Sequence, residues 1–235
     1  MSNLYVVSTP IGNLQDLTLR AASTIIEAKT IIAESTSKAG ILTNFISETF
    51  KKPRNPDQKI ISMTEDEEEL KINSILKILE SDDCVLISEA GTPLVSDPGF
   101  KLVRKAIALG FNIISVPGAT APIAALAASG LPTDKFLFLG YLSKSQIKKK
   151  NDLEKLHNIL SKDFSPTVIF FESPHRLIET LEVLLSVFGD IDIVVARELT
   201  KVHEEIARKK ISIILEGFKL RVPKGEFVVL FSTKS

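Results

Sequence analysis

Polar and ionisable residues collect where short apolar runs end: Thr9, Glu34, Glu89, Thr120, Glu172, His175, Arg197 and Glu198. Surface placement explains any one of them, but their repetition at the ends of strand-like runs favours a shared ligand cleft at the carboxyl edge of a sheet. The chemistry on offer is proton transfer by carboxylates, with His175 either a proton carrier or a helix-capping side chain. His175, His203 and the nearby glutamates lack zinc-ligand spacing, and with the lone Cys84 inside a predicted buried strand and so not available as a ligand, no metal site is expected. No Gly-x-Ser-x-Gly elbow and no Cys/His pair suggests a covalent intermediate. The lysine run Lys144 to Lys150 reads equally as a solvated helix start or as a patch facing phosphate.

Two loops must position these groups. The apolar run Cys84–Ile87 predicts a buried strand, and Ser88-Glu-Ala-Gly-Thr-Pro-Leu-Val-Ser-Asp-Pro-Gly99 follows it as a strand-to-helix loop. Gly91 and Gly99 permit close backbone approach and positive φ, Pro93 and Pro98 stiffen the loop, and Asp97-Pro98 is expected to cap a helix over Gly99 to Leu109. The second loop opens the chain: strand Leu4–Val7, then Ser8-Thr-Pro-Ile-Gly-Asn-Leu-Gln-Asp16, with Thr18 capping a helix to about Ala28. Neither loop matches G-x-G-x-x-G or the G-x-x-x-x-G-K-[ST] phosphate loop.

Composition bounds the function classes. The 235 residues are 44% hydrophobic and 25% charged, long enough for two modest domains and poorly suited to disorder. Lys plus Arg and Asp plus Glu number 29 each, so no global basic excess announces nucleic acid or membrane, and any such role rests on local patches. The lone Cys84 excludes an internal disulfide and reads as a buried structural thiol in a reducing compartment. No leader precedes Leu4 and no apolar run nears the roughly 20 residues that span a bilayer, so a cytoplasmic protein is expected, without membrane contact.

Short strands alternate with helices over the first half, which implies βαβ units and a largely parallel sheet. Thr64 and Glu67 form a capping-box pattern, and the acidic run Glu65 to Glu69 reads as a solvated helix face. Beyond Leu131-Pro132 come strands at Phe136–Leu139, Thr167–Phe171, Ile191–Ala196 and Gly225–Phe231, an apolar run at Ile211 to Leu215, and an amphipathic helix that follows the lysine run and ends near Leu160. The fold class is α/β, as two α/β domains with mostly parallel or mixed sheets over residues 1–117 and 118–235.

Several loops together resemble the tetrapyrrole-methylase-like (class III) S-adenosylmethionine-dependent methyltransferases, and within them the bacterial small-subunit ribosomal RNA (cytidine-2′-O)-methyltransferases. The likeness is carried by Ser8 to Leu19, Ser88 to Gly99, Val116-Pro-Gly-Ala-Thr-Ala121, Ser129-Gly-Leu-Pro-Thr-Asp134, Phe171-Glu-Ser-Pro-His-Arg176 and Ala196-Arg-Glu-Leu-Thr-Lys-Val-His-Glu-Glu205, in order along nearly the whole chain. The resemblance implies a methyl-donor cleft between two domains, a homodimer, and 2′-O-methylation of a cytidine in 16S ribosomal RNA of the small subunit. Carried over position by position, Pro10, Gly91, Thr92, Val95, Thr120, Ala121 and Leu199 would hold S-adenosylmethionine.

A ribose 2′-hydroxyl is a poor nucleophile at neutral pH, and Glu89, Glu34, His175 and Glu198 are the candidates to take its proton. Arg176, Arg197 and Lys201, with Lys148, Lys149 and Lys150, are the candidates to hold RNA phosphate. The sequence departs from the family in Glu89, where aspartate is usual, in the serines Ser35 and Ser37, and in closing at Ser235 where many relatives continue. Two other readings stand beside this one: methylation of a small molecule such as a tetrapyrrole, and a non-catalytic RNA-binding or assembly factor.

Overall fold

The computed structural model describes residues 2–160 and 164–233. The backbone falls into two units, Met1–Thr120 and Ala121–Ser235. Among the described residues no helix is long and apolar enough to cross a membrane.

In the first unit, β1 (Asn3–Val7) is followed by a 3-10 turn (Leu14–Asp16), α1 (Leu19–Glu27), β2 (Thr30–Ala33), α2 (Thr36–Phe50), β3 (Lys59–Ser62), α3 (Glu68–Leu79), β4 (Cys84–Ile87), α4 (Phe100–Ala108) and β5 (Asn112–Val116). The strands lie in the order β3-β2-β4-β1-β5, and every pairing is parallel. Strand side chains alternate between faces: Val85 and Ile87 pack with Ile25 of α1 and Ile46 of α2, while Cys84 and Leu86 pack with Ile75 of α3 and Leu102 of α4. Both faces are therefore covered, which is why β2 and β4 read as unbroken apolar runs. Burial, with smaller pushes from the charges of Asp82 and Asp83, raises the Cys84 thiol to about 12, leaving it an unreactive packing group.

The strand order places the functional edge. From β1 the chain crosses to β2 on one side, and from the adjacent β4 it crosses to β5 on the other, with α1 and α4 on opposite faces. The carboxyl ends of β1 and β4 therefore form a topological switch point, where departing loops diverge and leave a crevice.

In the second unit, α5 (Ala121–Ser129) leads to β6 (Phe136–Tyr141), α6 (Gln146–Ile159), β7 (Thr167–Glu172), α7 (Leu177–Phe188), β8 (Asp192–Arg197), β9 (Glu205–Lys210), α8 (Ile211–Lys219) and β10 (Phe227–Phe231). The order is β6-β7-β10-β8-β9, with β6 and β7 parallel and the other pairings antiparallel. Phe227, Val229 and Phe231 of the central β10 pack with Leu153 of α6, Leu181 of α7 and Ile214 of α8.

Several local expectations need correcting. The helix after Pro98 has Gly99, at φ +119°, as its N-cap, so Asp97 and Pro98 stand before it rather than capping it. Its N-terminus is capped from outside: the carboxylate of Glu68, only 4% exposed, accepts the Leu102 N–H at 3.0 Å. One member of the supposedly solvated acidic run is thus a buried cap. The capping box at Thr64 is half formed, with Glu67 accepting the Thr64 N–H at 3.3 Å and no side chain capping α3. The run Ile211 to Leu215 lies in helix α8, and β9 beside it lacks apolar alternation because it is a charged edge strand. Of the lysine run, Lys148, Lys149 and Lys150 lie inside the first turns of α6, which Ser145 caps, and Lys144 stands ahead of it.

Candidate functional site

Three loops leave the carboxyl ends of β4, β1 and β5, and backbone bonds tie them together. Thr9 and Gly91 form an isolated antiparallel bridge, the Thr9 N–H donating to Gly91 O at 2.8 Å and the Gly91 N–H returning to Thr9 O at 3.1 Å. The Thr9 hydroxyl donates to Ser88 O at 3.2 Å and the Ser88 hydroxyl to Gly91 O at 2.6 Å, all three residues being buried. Ser8 and Thr92 share a hydroxyl hydrogen bond of 3.0 Å, and Thr92 also donates to Ala119 O at 3.2 Å. The loops are preformed and internally satisfied, so the entropy of ordering them is spent in folding rather than on a ligand.

Glycine is required here by geometry. Gly91 holds φ +87°, and a Cβ on it would sit 3.2 Å from Ile11 Cγ2 and 3.6 Å from Ala119 O. A Cβ on Gly118 would press Ser8 Cβ at 2.9 Å. Two non-glycine residues of the same loop, Leu94 at φ +69° and Ser96 at φ +66°, also lie in the left-handed region, at a cost of roughly 1–2 kcal/mol each. The composition of the loop signals Gly91 and Gly99 but not this strain. Around the tie, Pro10 and Gly91 are buried, Thr92 and Thr120 half-buried, and Val95 is 37% exposed.

Glu34 follows β2, and Glu89 follows the neighbouring β4 and pairs with Lys38. Burial first, then the charges of Glu34 and Glu89, push the half-buried Asp97 carboxyl up to about 6. The first unit thus brings the two candidate glutamates toward a third carboxyl that the sequence presents only as a helix cap. No local signal identifies Asp97, because its surroundings come from loops far apart in the chain.

In the second unit the candidates separate by role. His175 is exposed in the turn before α7, and Leu199 is buried in the turn after β8. Ala121 opens α5. Glu198, at φ +49°, accepts the Glu226 N–H and the Lys201 ammonium, both at 3.0 Å. Burial raises its pKa, but these bonds together with the charges of Lys201 and Arg197 outweigh that and hold it below the ordinary glutamate value. Glu198 is accordingly a weak proton acceptor. Lys201 also pairs with Glu226, and Arg197 with Glu205 at 3.6 Å. Arg176 pairs with buried Glu172 at 2.7 Å and donates to Leu142 O at 3.1 Å. These three cations serve the fold with much of their bonding capacity.

Lys149 is a plain correction to the phosphate patch. Its side chain is fully buried and donates to Glu179 at 2.8 Å and to the Thr180 hydroxyl at 2.9 Å. That hydroxyl donates onward to Glu172 at 2.6 Å, so a polar chain runs Glu179–Lys149–Thr180–Glu172–Arg176 through the unit. Lys149 cannot reach phosphate, whereas Lys148 and Lys150 are exposed, Lys150 facing Glu154 at 3.9 Å. Among the described residues no group of three or more His, Cys, Asp or Glu side chains is placed to hold a metal ion.

Comparison with known proteins matches residues 3–214 to the family model Tetrapyrrole (Corrin/Porphyrin) Methylases. A Thermotoga maritima protein named Ribosomal RNA small subunit methyltransferase I is 37% identical over 235 residues, 100% of each chain. The Rickettsia prowazekii protein of the same name is 41% identical over 232 residues, 98% of this chain and 78% of its own. A solved structure of uroporphyrin-III C-methyl transferase from Thermus thermophilus, complexed with S-adenyl homocysteine, superposes with a TM-score of 0.64 at 18% identity, covering 98% of this chain and 97% of that one.

Proposed function

The chain belongs to the tetrapyrrole (corrin/porphyrin) methylases, and on that premise we propose that it transfers a methyl group from S-adenosylmethionine to the ribose 2′-hydroxyl of a cytidine in 16S ribosomal RNA of the small subunit. The observation that carries the reading is the end-to-end likeness to the Thermotoga maritima relative. The family resemblance extends the proposal to a homodimer working in the cytoplasm.

The hydrogen-bonded loops of the first unit suit the donor. Pro10, Gly91, Thr92, Val95 and Thr120 are uncharged, and Gly91 lets backbone rather than a side chain meet a ligand. Glu34, Glu89 and Asp97 supply negative charge that favours a cationic sulfonium. When bound, S-adenosylmethionine supplies an electrophilic methyl group that an oxygen attacks in line. The chain's own residues hold the two reactants in register, exclude water and accept the hydroxyl proton. Asp97, which lies in the same loop as Gly91 and whose carboxyl is pushed up to about 6, joins Glu34 and Glu89 as a candidate for that proton, whereas Glu198 is held below the ordinary glutamate value.

Incubating unmethylated small subunits with labelled donor and mapping the product tests the reading: label on a cytidine 2′-oxygen is expected. Gly91→Ala, the smallest change at this positive-φ position, should be destabilised by the strain yet, at a temperature where circular dichroism shows it folded, should lose donor binding by calorimetry and lose labelling with it. Label on a base contradicts the proposed target, and turnover of a tetrapyrrole with no label in RNA establishes small-molecule methylation instead.

A further inference from the structure

The turn between β7 and α7 and the loop between α8 and β10 border a cleft of about 460 Å³ within the second unit. Pro174, Ile178, Val222 and Pro223 give it apolar walls, with His175 and Lys224 as its polar members. Val222 is 79% exposed, an apolar side chain with no packing duty in the core. Neither the His175 ring nor the Lys224 ammonium has a hydrogen bond or ion pair among the described residues, unlike the neighbouring Arg176, Arg197 and Lys201.

The far wall is built in advance. Gly225 holds φ +96°, and a Cβ on it would lie 2.5 Å from Glu198 Cγ, so the loop rests directly on that side chain. Arg197 donates to Lys224 O at 2.5 Å, and Glu198 accepts the Glu226 N–H. Hydrogen bonds from the charged side chains of Arg197 and Glu198 to backbone groups thus fix the loop, while the Lys224 ammonium has no partner among the described residues.

We propose that this cleft is a subsite for one unpaired nucleotide of the RNA substrate, its base stacked on His175 between Pro174 and Val222 and its phosphate met by Lys224. The proposal rests on the ribosomal RNA reading given above. A flat heterocycle presents an apolar face to the imidazole, proline and aliphatic surfaces, and the volume accommodates a base with its ribose. The unpaired ammonium complements a phosphate at the rim, since the nearby cations are already neutralised by Glu172, Glu198, Glu205 and Glu226. Among the described residues His175 and Lys224 are the titratable side chains that line the cleft, so the subsite reads stacking and backbone charge rather than base identity. His175 is on this account a stacking residue rather than a proton carrier.

Two measurements on the full chain test it. In methyl transfer to small subunits, His175→Ala should raise KM roughly tenfold with kcat and donor affinity little changed, and His175→Phe, which stacks but cannot carry a proton, should restore most of the wild-type KM. In fluorescence anisotropy with a short unstructured oligoribonucleotide, His175→Ala, Val222→Glu and Lys224→Gln should each weaken binding, and only Lys224→Gln should also flatten the salt dependence, by about one counterion. Loss of kcat in both His175 variants returns the residue to proton transfer and overturns the proposal. Oligonucleotide binding indifferent to all three changes overturns it as well. Because that second assay needs no turnover, absence of methyl transfer by the wild type defeats the ribosomal RNA reading while leaving the nucleotide subsite separately decided.

Discussion

At the scale of single residues, the first unit concentrates negative charge where it is costly. Asp97 makes no compensating bond among the described residues, and Glu34 and Glu89 both disfavour its ionisation, with Lys38 engaged by Glu89. A carboxyl raised to about 6 on folding binds a proton that the unfolded chain has already released, so its contribution to stability falls as pH climbs from the ordinary carboxylate range through about 6. Asp97→Asn, which keeps the shape and removes the charge, should therefore be more stable than wild type at about pH 7.5, with the gain reduced to roughly a third at about pH 4.5, between the unfolded and folded carboxyl values. Thermal unfolding at the two pH values decides this, and an equal gain at both would show that charge is not the cause. Since Gly99 rather than Asp97 caps α4, loss of a cap should not confuse the result.

At the scale of elements, α3 and α4 are joined by a carboxylate that looks ordinary in the sequence. Glu68 sits among Glu65, Asp66, Glu67 and Glu69, of which Glu69 reaches solvent-exposed Lys101 at 2.7 Å while Glu68 turns inward to the Leu102 N–H. Removing the buried acceptor leaves a buried donor unsatisfied, so Glu68→Ala should cost about 1–3 kcal/mol. Glu69→Ala, which breaks only an exposed pair, should stay within about 0.5 kcal/mol. Urea unfolding of the two variants measures the contrast, and equal losses would contradict the assigned cap. The acidic run and the presence of α3 were legible in the sequence, although the helix starts at Glu68 rather than directly after Thr64. Which member turned inward was not, because periodicity locates a face only when apolar residues mark it, and here a carboxylate occupies a buried position.

At the scale of the whole molecule, equal numbers of acidic and basic residues mean that attraction to RNA must be local. The structure narrows the cations free to supply it. Changing Lys148 and Lys150 to Gln should flatten the salt dependence of small-subunit binding by up to about two counterions and leave stability within about 0.5 kcal/mol. Lys149→Ala should instead cost about 2–4 kcal/mol, by emptying buried volume and breaking the polar chain to Glu179, with the salt slope of the folded protein unchanged. A reversed pattern in salt titrations and urea unfolding would return Lys149 to the surface. The sequence by itself determined the α/β class, the central strands, and the Gly/Pro loops at their carboxyl ends, since apolar runs and turn residues act through neighbours a few positions away. Tertiary structure alone decided that Thr9 pairs with Gly91, that Glu68 caps a helix more than thirty residues on, that Asp97 feels the charges of two glutamates, and that Lys149 is buried against α7. Each of those depends on a partner distant in the chain, and a polar side chain's partner leaves no periodic trace in the sequence beside it.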